Sequence, residues 1–213
     1  YSAEGIVVTD ADNHIELVNP AFCHITGYSL EEVKGRSPSL LSSSRHPKHF
    51  YTAMWESLQK EGKWEGEVWN KRKDGQVYPE YLAITVVRNE QGKIIQHIGL
   101  FMDISKRKQY EQDLWYQANF DDLNGLTTSK LCNERLQHEI HVAQHDSRKL
   151  AILLIDLVQF KYINDVQGHA TGDLLLKDVA ERLEGIAGKT DFIARIGGDE
   201  FVLILPRLTN ELA

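Results

Sequence analysis

The sequence predicts an α+β fold in two units, an antiparallel sheet with flanking helices followed by a smaller α/β unit. Three observations predict it. Residues 64–71, 76–88 and 94–102 are long runs in which apolar and polar residues alternate, as in strands joined by hairpins. Residues 105–121 are polar and have helical spacing. Beyond them, in residues 122–213, helical patterns alternate with short apolar runs, which is typical of an α/β unit.

Local patterns give the remaining elements of the first unit. Residues 73–75 and 89–92 contain the Gly, Asn and Asp residues that favour hairpin turns. Residues 10–13 tolerate tight backbone geometry and separate two shorter strands. An apolar residue at every fourth position from Phe50 to Leu58 marks one helix face. The elements predicted before residue 64 are strands at 5–9 and 14–18 and helices at 21–25, 30–33 and 47–59.

The polar stretch between the units carries a narrow apolar stripe, formed by Tyr110, Leu114 and Ala118 at four-residue spacing. A narrow stripe suits a seam between two helices, so we expect a homodimer through the first unit and this helix. Docking of the stripe against either unit is an equal alternative. The domains predicted are residues 1–104, a helical linker at 105–121, and a partial domain at 122–213.

The second unit is predicted to alternate helices and strands. The apolar run in residues 149–155 is expected to be a strand buried on both faces. Residues 192–196 and 201–205 are predicted strands on either side of Gly197 and Gly198. Apolar residues at helical spacing predict two helices, marked by Cys132, Leu136, Ile140 and Ala143 and by Leu175, Val179, Leu183 and Ile186.

Composition excludes several classes of function. The 213 residues carry a formal net charge of −7, so nothing favours binding to nucleic acid or to an anionic membrane. Two cysteines, far apart, predict neither a disulfide nor a zinc site and indicate a reducing, cytoplasmic environment. No run approaches the about 20 apolar residues that span a bilayer. Because the chain begins at Tyr1, we expect it to be a piece of a longer protein, which an upstream anchor could hold at a membrane.

One ordered set of motifs points to nucleotide chemistry. Residues 195–201, Arg-Ile-Gly-Gly-Asp-Glu-Phe, resemble the signature of the GGDEF family of diguanylate cyclases. Residues 155–157, 160–165 and 168–173 resemble the companion segments of that family, in order and at matching spacing. The resemblance implies a palm-like nucleotidyl cyclase unit. Its reaction joins two GTP molecules into cyclic di-GMP and releases pyrophosphate.

Elementary chemistry supports this resemblance. Asp156 ends a predicted strand and Asp199 lies in a predicted hairpin turn, so the two carboxylates meet if the hairpin lies beside that strand. Divalent metals that neutralise a triphosphate take such oxygen ligands. Gly197 and Gly198 leave room for a nucleotide near the backbone. Taken singly, each residue also has a structural explanation, such as Asp156 capping the next helix.

The resemblance also implies a role for each residue. Asp156, Asp199 and the Leu157 carbonyl bind Mg²⁺, and Asp199 and Glu200 form the catalytic acidic pair. The residues implied to bind GTP are Asn164 and Asp173 on the guanine, Phe160 and Lys161 along the phosphates, and Gly197 and Gly198 in the turn.

Departures from the family motifs leave two functions open. The opening motif at residues 121–129 lacks its usual Pro-Asn-Arg end, and Val158 replaces a second acidic residue. Residues 188–191 lack the Arg of a product-inhibition site, so we expect no feedback of that type. The first hypothesis is a parent diguanylate cyclase under sensor control, of which a piece ending at Ala213 is inactive alone. The alternative is an inactive GTP-binding module that regulates a downstream EAL-type phosphodiesterase or another partner.

The first unit resembles a PAS sensor domain. The landmarks are residues 19–22, 26–28, 71–75 and 103–105, in order. Pro38 stands where a photoactive flavin–thiol sensor has its Cys, which argues against that class. The FAD-binding PAS domain of the nitrogen-fixation regulator is similar around three residues, which makes FAD a candidate cofactor, with haem a lesser one. The residues concerned are Trp55, Trp64 and Asn70 for FAD, and His46 or His49 for haem.

Overall fold

A computed structural model describes residues 4–208. The chain forms two compact units that divide between Tyr110 and Glu111. The predicted α+β class is confirmed: among residues 4–208, the first unit has an antiparallel sheet with flanking helices, and the second has a smaller sheet that is also accompanied by helices. Among the described residues, none of the helices combines the length and apolarity that crossing a bilayer requires.

The first unit contains a five-stranded antiparallel sheet in the order β2-β1-β5-β4-β3. Its long β3–β4 and β4–β5 hairpins lie where the alternating sequence pattern predicts them. The elements are β1 (Glu4–Asp10), β2 (Ile15–Val18), α1 (Pro20–Thr26), α2 (Leu30–Val33), a 3-10 turn (Pro38–Leu41), α3 (Lys48–Glu61), β3 (Lys63–Lys71), β4 (Val77–Arg88) and β5 (Ile94–Asp103).

Helix α1 shows how local sequence sets an element. The Asn19 side-chain oxygen accepts hydrogen bonds from the backbone N–H of Phe22 at 2.8 Å and of Ile6 at 2.9 Å. Pro20 follows at the first helical position, where its missing N–H costs nothing. Gly27 ends the helix in the left-handed region at φ 77°, which glycine adopts without strain. The second bond, from Ile6 N–H to the Asn19 oxygen, ties the start of α1 to strand β1.

The core of the first unit lies between the sheet and its helices. Phe22 and Val33 are fully buried, and Phe101 is nearly so. The Phe22 and Phe101 rings meet edge to face, with their centroids 5.7 Å apart. Gly5 is required there, because a Cβ would lie 2.3 Å from the Phe101 ring. The core therefore fixes β1 and β5 closely beside α1.

The helix predicted at residues 105–121 is α4 (Ser105–Asn119). The stripe residues Tyr110 and Leu114 are 67% and 65% exposed, and Ala118 is also exposed. The described part of the chain therefore leaves the stripe available to a partner.

The second unit has a three-stranded antiparallel sheet, in the order β6-β8-β7 within the described residues. Its core is formed by Phe201 on the sheet and by Leu176 and Ala180 on one helix. The elements are α5 (Ser129–His145), β6 (Ala151–Asp156), α6 (Phe160–Gln167), α7 (His169–Ile186), β7 (Phe192–Gly197) and β8 (Glu200–Leu205).

The prediction that residues 149–155 are buried on both faces is wrong. The segment does form strand β6, but β6 pairs only with β8 among the described residues. Ile152, Leu153 and Leu154 are accordingly 49%, 41% and 65% exposed. The elements among the described residues therefore leave much of the surface of β6 uncovered, although its sequence is apolar.

Candidate functional site

Three acidic residues lie at one end of the second sheet; we call Asp156, Asp199 and Glu200 the acidic edge. Asp156 is the last residue of β6 and pairs directly with Glu200, the first residue of β8. Directly opposed residues share a face and have Cβ atoms about 4.5–5.5 Å apart. Asp199 immediately precedes Glu200, in the turn between β7 and β8. Like charges so placed repel each other, which a bound cation would relieve.

The turn beside the acidic edge is open to ligand. It consists of Gly198 and Asp199, with Gly197 paired to Glu200 across it. Gly198 has φ 47°, in the left-handed region that favours glycine. A Cβ built on Gly197 or Gly198 would meet no atom within 4 Å. The glycine pair therefore leaves free space above the backbone, where the sequence predicts a nucleotide.

Arg195 braces the turn. Its Nε and Nη2 donate to the Gly198 carbonyl at 2.8 Å and 2.6 Å, and its Nη1 donates to the Asp121 carboxylate. This role of Arg195 was not predicted from the sequence. The opening motif is also held by its backbone, since Thr127 O accepts from Arg195 N–H at 3.0 Å. The loss of Pro-Asn-Arg therefore leaves the motif attached to β7.

Two helices present the residues predicted to bind guanine. A Cβ on Gly172 of α7 would lie 2.0 Å from Asn164 Oδ1 and 3.2 Å from the Phe160 ring on α6. Gly172 therefore permits close packing of the two helices around Asn164. Asn164 Oδ1 is buried and has no hydrogen-bond partner among the described residues. An unmet buried acceptor costs about 1–3 kcal/mol, which a ligand N–H donor would offset.

The other predicted residues lie around this pair of helices. Asp173 and Lys161 are exposed, whereas Leu157 and Phe160 are half-buried against the core of the second unit. Asp156 does not cap the next helix, because the N-cap of α6 is Gln159.

The acidic edge suits a metal that is shared with a phosphate. Within residues 4–208, no three His, Cys, Asp or Glu side chains come together as a protein-only metal site. Mg²⁺ does not require one, since it is usually bound by one or two carboxylates, water and substrate phosphates. Asp156 and Asp199 provide oxygen ligands of that kind.

A separate feature is a cavity of about 480 Å³ between the sheet and helices of the first unit, which we call the first-unit cavity. Its volume lies within the about 300–1,000 Å³ typical of small-molecule sites. Its walls are mainly apolar, with Trp55 and Met54 from α3 and Phe101 from β5 among them. It also contains a few polar groups, including Asn70 and His97.

A buried carboxyl group lies in this cavity. Glu80 is 2% exposed, and its carboxyl accepts hydrogen bonds from Asn70 Nδ2 at 2.8 Å and from the Tyr78 hydroxyl at 2.7 Å. Burial raises the pKa of Glu80 to about 7, against the lowering effect of these two bonds. Glu80 was not predicted from the sequence. Strand alternation, which places Tyr78, Glu80 and Leu82 on one face, was the signal that could have found it.

The predicted sensor residues divide between the cavity and its surroundings. Trp55 and Asn70 line the first-unit cavity, while Trp64 packs edge-on against Phe50, with ring centroids 5.8 Å apart. His46 does not line the cavity, and its Nε2 accepts from the Trp69 backbone N–H at 2.9 Å. His49 is exposed. These positions favour a cofactor near Trp55 and Asn70 over one held by either predicted histidine.

Family models match both units. Residues 3–106 match a model described as PAS domain, and residues 118–213 match one described as diguanylate cyclase, GGDEF domain. The matches leave only the middle of α4 between them.

Curated relatives include a regulatory protein, a signaling protein and a cyclic di-GMP enzyme. A nitrogen fixation regulatory protein of Klebsiella oxytoca is 40% identical over 109 residues, covering 51% of this chain and 22% of that protein. An uncharacterized signaling protein of Caulobacter vibrioides is 30% identical over 208 residues, covering 94% and 24%. The bifunctional diguanylate cyclase/cyclic di-GMP phosphodiesterase MucR of Pseudomonas aeruginosa is 45% identical over 94 residues, covering 44% and 14%. The chain spans about a quarter or less of the length of these relatives.

Proposed function

Because the chain consists of a PAS domain over residues 3–106 and a GGDEF domain over residues 118–213, we propose that it belongs to a sensor-regulated diguanylate cyclase. The reaction joins two GTP molecules into cyclic di-GMP and releases two pyrophosphates. One observation carries the proposal: Asp156 and Glu200 are paired across β6 and β8, directly beside the Gly198–Asp199 turn. That pairing brings the motif at residues 155–157 next to the motif at residues 195–201, which is distant in sequence, at one edge of the sheet.

In this proposal the acidic edge holds Mg²⁺ against a triphosphate. The ion would be bound by Asp156, Asp199 and the Leu157 carbonyl. It would neutralise negative charge on the phosphates. Glu200, opposite Asp156, adds a further negative group that favours cation binding. The open space above Gly197 and Gly198 admits the phosphates next to the backbone.

The helices would bind the rest of GTP. Asn164 and Asp173 are proposed to hydrogen-bond the guanine, in keeping with the unmet acceptor of Asn164. Lys161, exposed near the start of α6, would approach the phosphates as a point charge, with Phe160 beside it. Asn164, Asp173 and Lys161 then contribute donor or acceptor groups that match the chemistry of GTP.

Cyclic di-GMP contains two guanylyl units, so two GGDEF domains must face each other across the product. We therefore propose a homodimer, formed through the PAS domain and α4. The exposed stripe of Tyr110, Leu114 and Ala118 supports this part of the proposal. Movement of α4 would bring the two acidic edges together or separate them.

A GTP-binding module without turnover is the second candidate. Val158, where the family often has an acidic residue, is 85% exposed beside the acidic edge, so one carboxylate fewer faces the ion there. Such a module would regulate a partner domain, for example a phosphodiesterase.

A flavin in the first-unit cavity is the proposed sensor cofactor. The size of the cavity and its mainly apolar walls suit a planar ring, and Asn70 and Glu80 offer hydrogen bonds to a ring edge. His97 also lines the cavity, with Nδ1 3.2 Å from the Asp10 carbonyl. The absorbance spectrum of the purified protein tests this: two visible flavin bands support it, and a Soret band or a colourless protein contradicts it.

Turnover of GTP separates the two candidates for the GGDEF domain. The full-length protein is incubated with GTP and Mg²⁺, and products are resolved by chromatography beside an equilibrium measurement of GTP binding. Cyclic di-GMP that disappears in Asp199→Ala supports the cyclase. Bound GTP without product supports the module.

A further inference from the structure

Helix α5 of the second unit carries three histidines on one face. His138, His141 and His145 recur at spacings of three and four residues, which at 3.6 residues per turn places them within about 60° of arc. All three side chains are exposed. Cys132 and Ala143, which α5 buries, lie on the opposite side of the helix. The histidines therefore face away from the core of the second unit; we call them the histidine stripe.

Within the stripe, His141 and His145 have the spacing of a metal-binding pair. Residues four apart on a helix are neighbours, with Cβ atoms about 5–6 Å apart. Two histidines so placed on one helix face can bind the same Zn²⁺ ion. His138 and His145 are seven residues apart, which is about 10 Å along the helix axis, so they do not form a neighbouring pair.

The ring of His145 is oriented by the carboxylate of Asp146. Nδ1 of His145 lies 2.9 Å from Asp146 Oδ1. A carboxylate only accepts hydrogen bonds, so Nδ1 carries the N–H and the lone pair is on Nε2. The second Asp146 oxygen lies 2.6 Å from Arg148 Nη2, which holds the carboxylate in place. Metal-binding histidines almost always have such an outer partner, because it fixes the tautomer and raises the basicity of the ligand nitrogen.

The charges around the pair also favour a cation. Within residues 4–208, no hydrogen bond or ion pair engages the ring of His141. No Lys or Arg occurs between Arg135 and Arg148, and these two are paired with Glu139 and Asp146. The pair also lies at the C-terminal end of α5, where the helix dipole stabilises positive charge.

We propose that His141 and His145 bind one divalent transition-metal ion, with Asp146 as a positioning residue for His145. Imidazole suits Zn²⁺, Cu²⁺ and Ni²⁺, whereas Mg²⁺ prefers oxygen ligands, so this site is distinct from the one proposed at the acidic edge. Water would fill the remaining coordination positions. Because two side chains suffice, the site is consistent with the lack of any three-residue metal group within residues 4–208.

The experiment is a calorimetric titration of the full chain, without a polyhistidine tag, with Ni²⁺ at pH 7.5. Mg²⁺ is present in large excess, so that it occupies the carboxylates of the acidic edge. The native protein is expected to bind one Ni²⁺ ion. His141→Ala and His145→Ala should each lower the affinity by about tenfold or more. His138→Ala is the matched control, because it removes a histidine of the same stripe outside the pair, and the affinity should stay within about twofold.

A double-mutant cycle tests the role of Asp146. Asp146→Asn removes the negative charge beside Nδ1 and is expected to weaken Ni²⁺ binding about tenfold. If Asp146 acts through His145, the same change made in His145→Ala should have no further effect. A purely structural role of Asp146 would weaken binding in both backgrounds. Circular dichroism checks the fold of each variant, and alanine at exposed helix positions preserves the helix.

Each result supports or overturns a stated part of the proposal. A native protein that binds no Ni²⁺ in excess Mg²⁺, or binding that is undiminished in His141→Ala and His145→Ala, overturns the site. An equal loss in His138→Ala and His145→Ala overturns the choice of pair. Additive effects of Asp146→Asn and His145→Ala overturn the positioning role. None of these results bears on the cyclase or on the flavin.

Discussion

The guanidinium of Arg195 lies 3.0 Å and 3.1 Å from the two carboxylate oxygens of Asp121, 74 residues away along the chain. Asp121 comes two residues after the end of α4, and Arg195 also donates to the carbonyl of Gly198 in the turn of the acidic edge. One side chain thus connects the end of the linker helix with the turn that carries Asp199. A displacement of α4 can reach the turn through this contact.

Removal of the contact between Arg195 and Asp121 should uncouple the Gly198–Asp199 turn from α4. We expect Arg195→Ala to lower cyclic di-GMP formation at least tenfold, because the Gly198 carbonyl loses two donors. A double-mutant cycle with Asp121→Ala should give a coupling energy of about 1 kcal/mol or more in urea unfolding. The control pair is Arg182 and Asp178 on α7, whose side chains are 77% and 51% exposed. Its coupling energy should be about 0.5 kcal/mol or less, and equal values for the two pairs would contradict the prediction.

Gly172 should be intolerant of a methyl group. A Cβ there would lie 2.0 Å from Asn164 Oδ1, so Gly172→Ala must displace Asn164 and weaken GTP binding at least tenfold. Gly185→Ala, on the same helix, meets nothing within 4 Å and should gain about 0.5–1 kcal/mol from helix propensity. Calorimetric GTP titration and thermal unfolding measure both effects. GTP affinity that is unchanged in Gly172→Ala would remove Asn164 from the proposed site.

The α4 stripe should control dimer formation. Leu114→Glu places a charge in the stripe and is expected to shift the protein toward monomer by at least tenfold in dissociation constant, measured by sedimentation at micromolar concentration. Gln112→Glu adds the same charge to another face of α4. It should leave the dissociation constant unchanged. A strictly monomeric native protein would refute the seam.

The buried carboxyl of Glu80 should make stability depend on pH. Its pKa is raised from 4.5 to about 7, so the folded state binds the proton more tightly than the unfolded chain does. Stability is therefore full below about pH 4.5 and declines by roughly 3 kcal/mol as the pH rises through 7. Urea unfolding of the native protein and Glu80→Gln at several pH values measures this. The difference between the two proteins should change over pH 5–7, and a constant difference would refute it.

Local signals allowed most of the fold to be predicted. Short segments suffice to show the alternation of apolar and polar residues in β3, β4 and β5 and the glycine-containing turns between these strands. The observed ends of the three strands are therefore within one residue of the predicted ends. The turn that contains Asp199 was predictable for the same reason. Placing Asp156 beside it required only that the hairpin lie next to β6, which the β6–β8 register confirms.

Features that depend on distant contacts were missed. Glutamate is almost never fully buried, so Glu80 was not singled out, although it alternates inward with Tyr78. The bond between Arg195 and Asp121 joins segments that no local pattern relates. The exposure of β6 was mispredicted because an apolar run indicates a strand but not which elements cover its faces.

The acidic edge is proposed to convert GTP into cyclic di-GMP. The most direct test of this proposal is to measure product formation by the full-length protein with GTP and Mg²⁺. We predict cyclic di-GMP from the native protein and from Asp178→Asn, a distant surface control, and at least a hundredfold less from Asp156→Asn and Asp199→Asn. All three variants should remain folded by circular dichroism. Undiminished product from Asp156→Asn and Asp199→Asn, or no product from the native protein, would contradict the account.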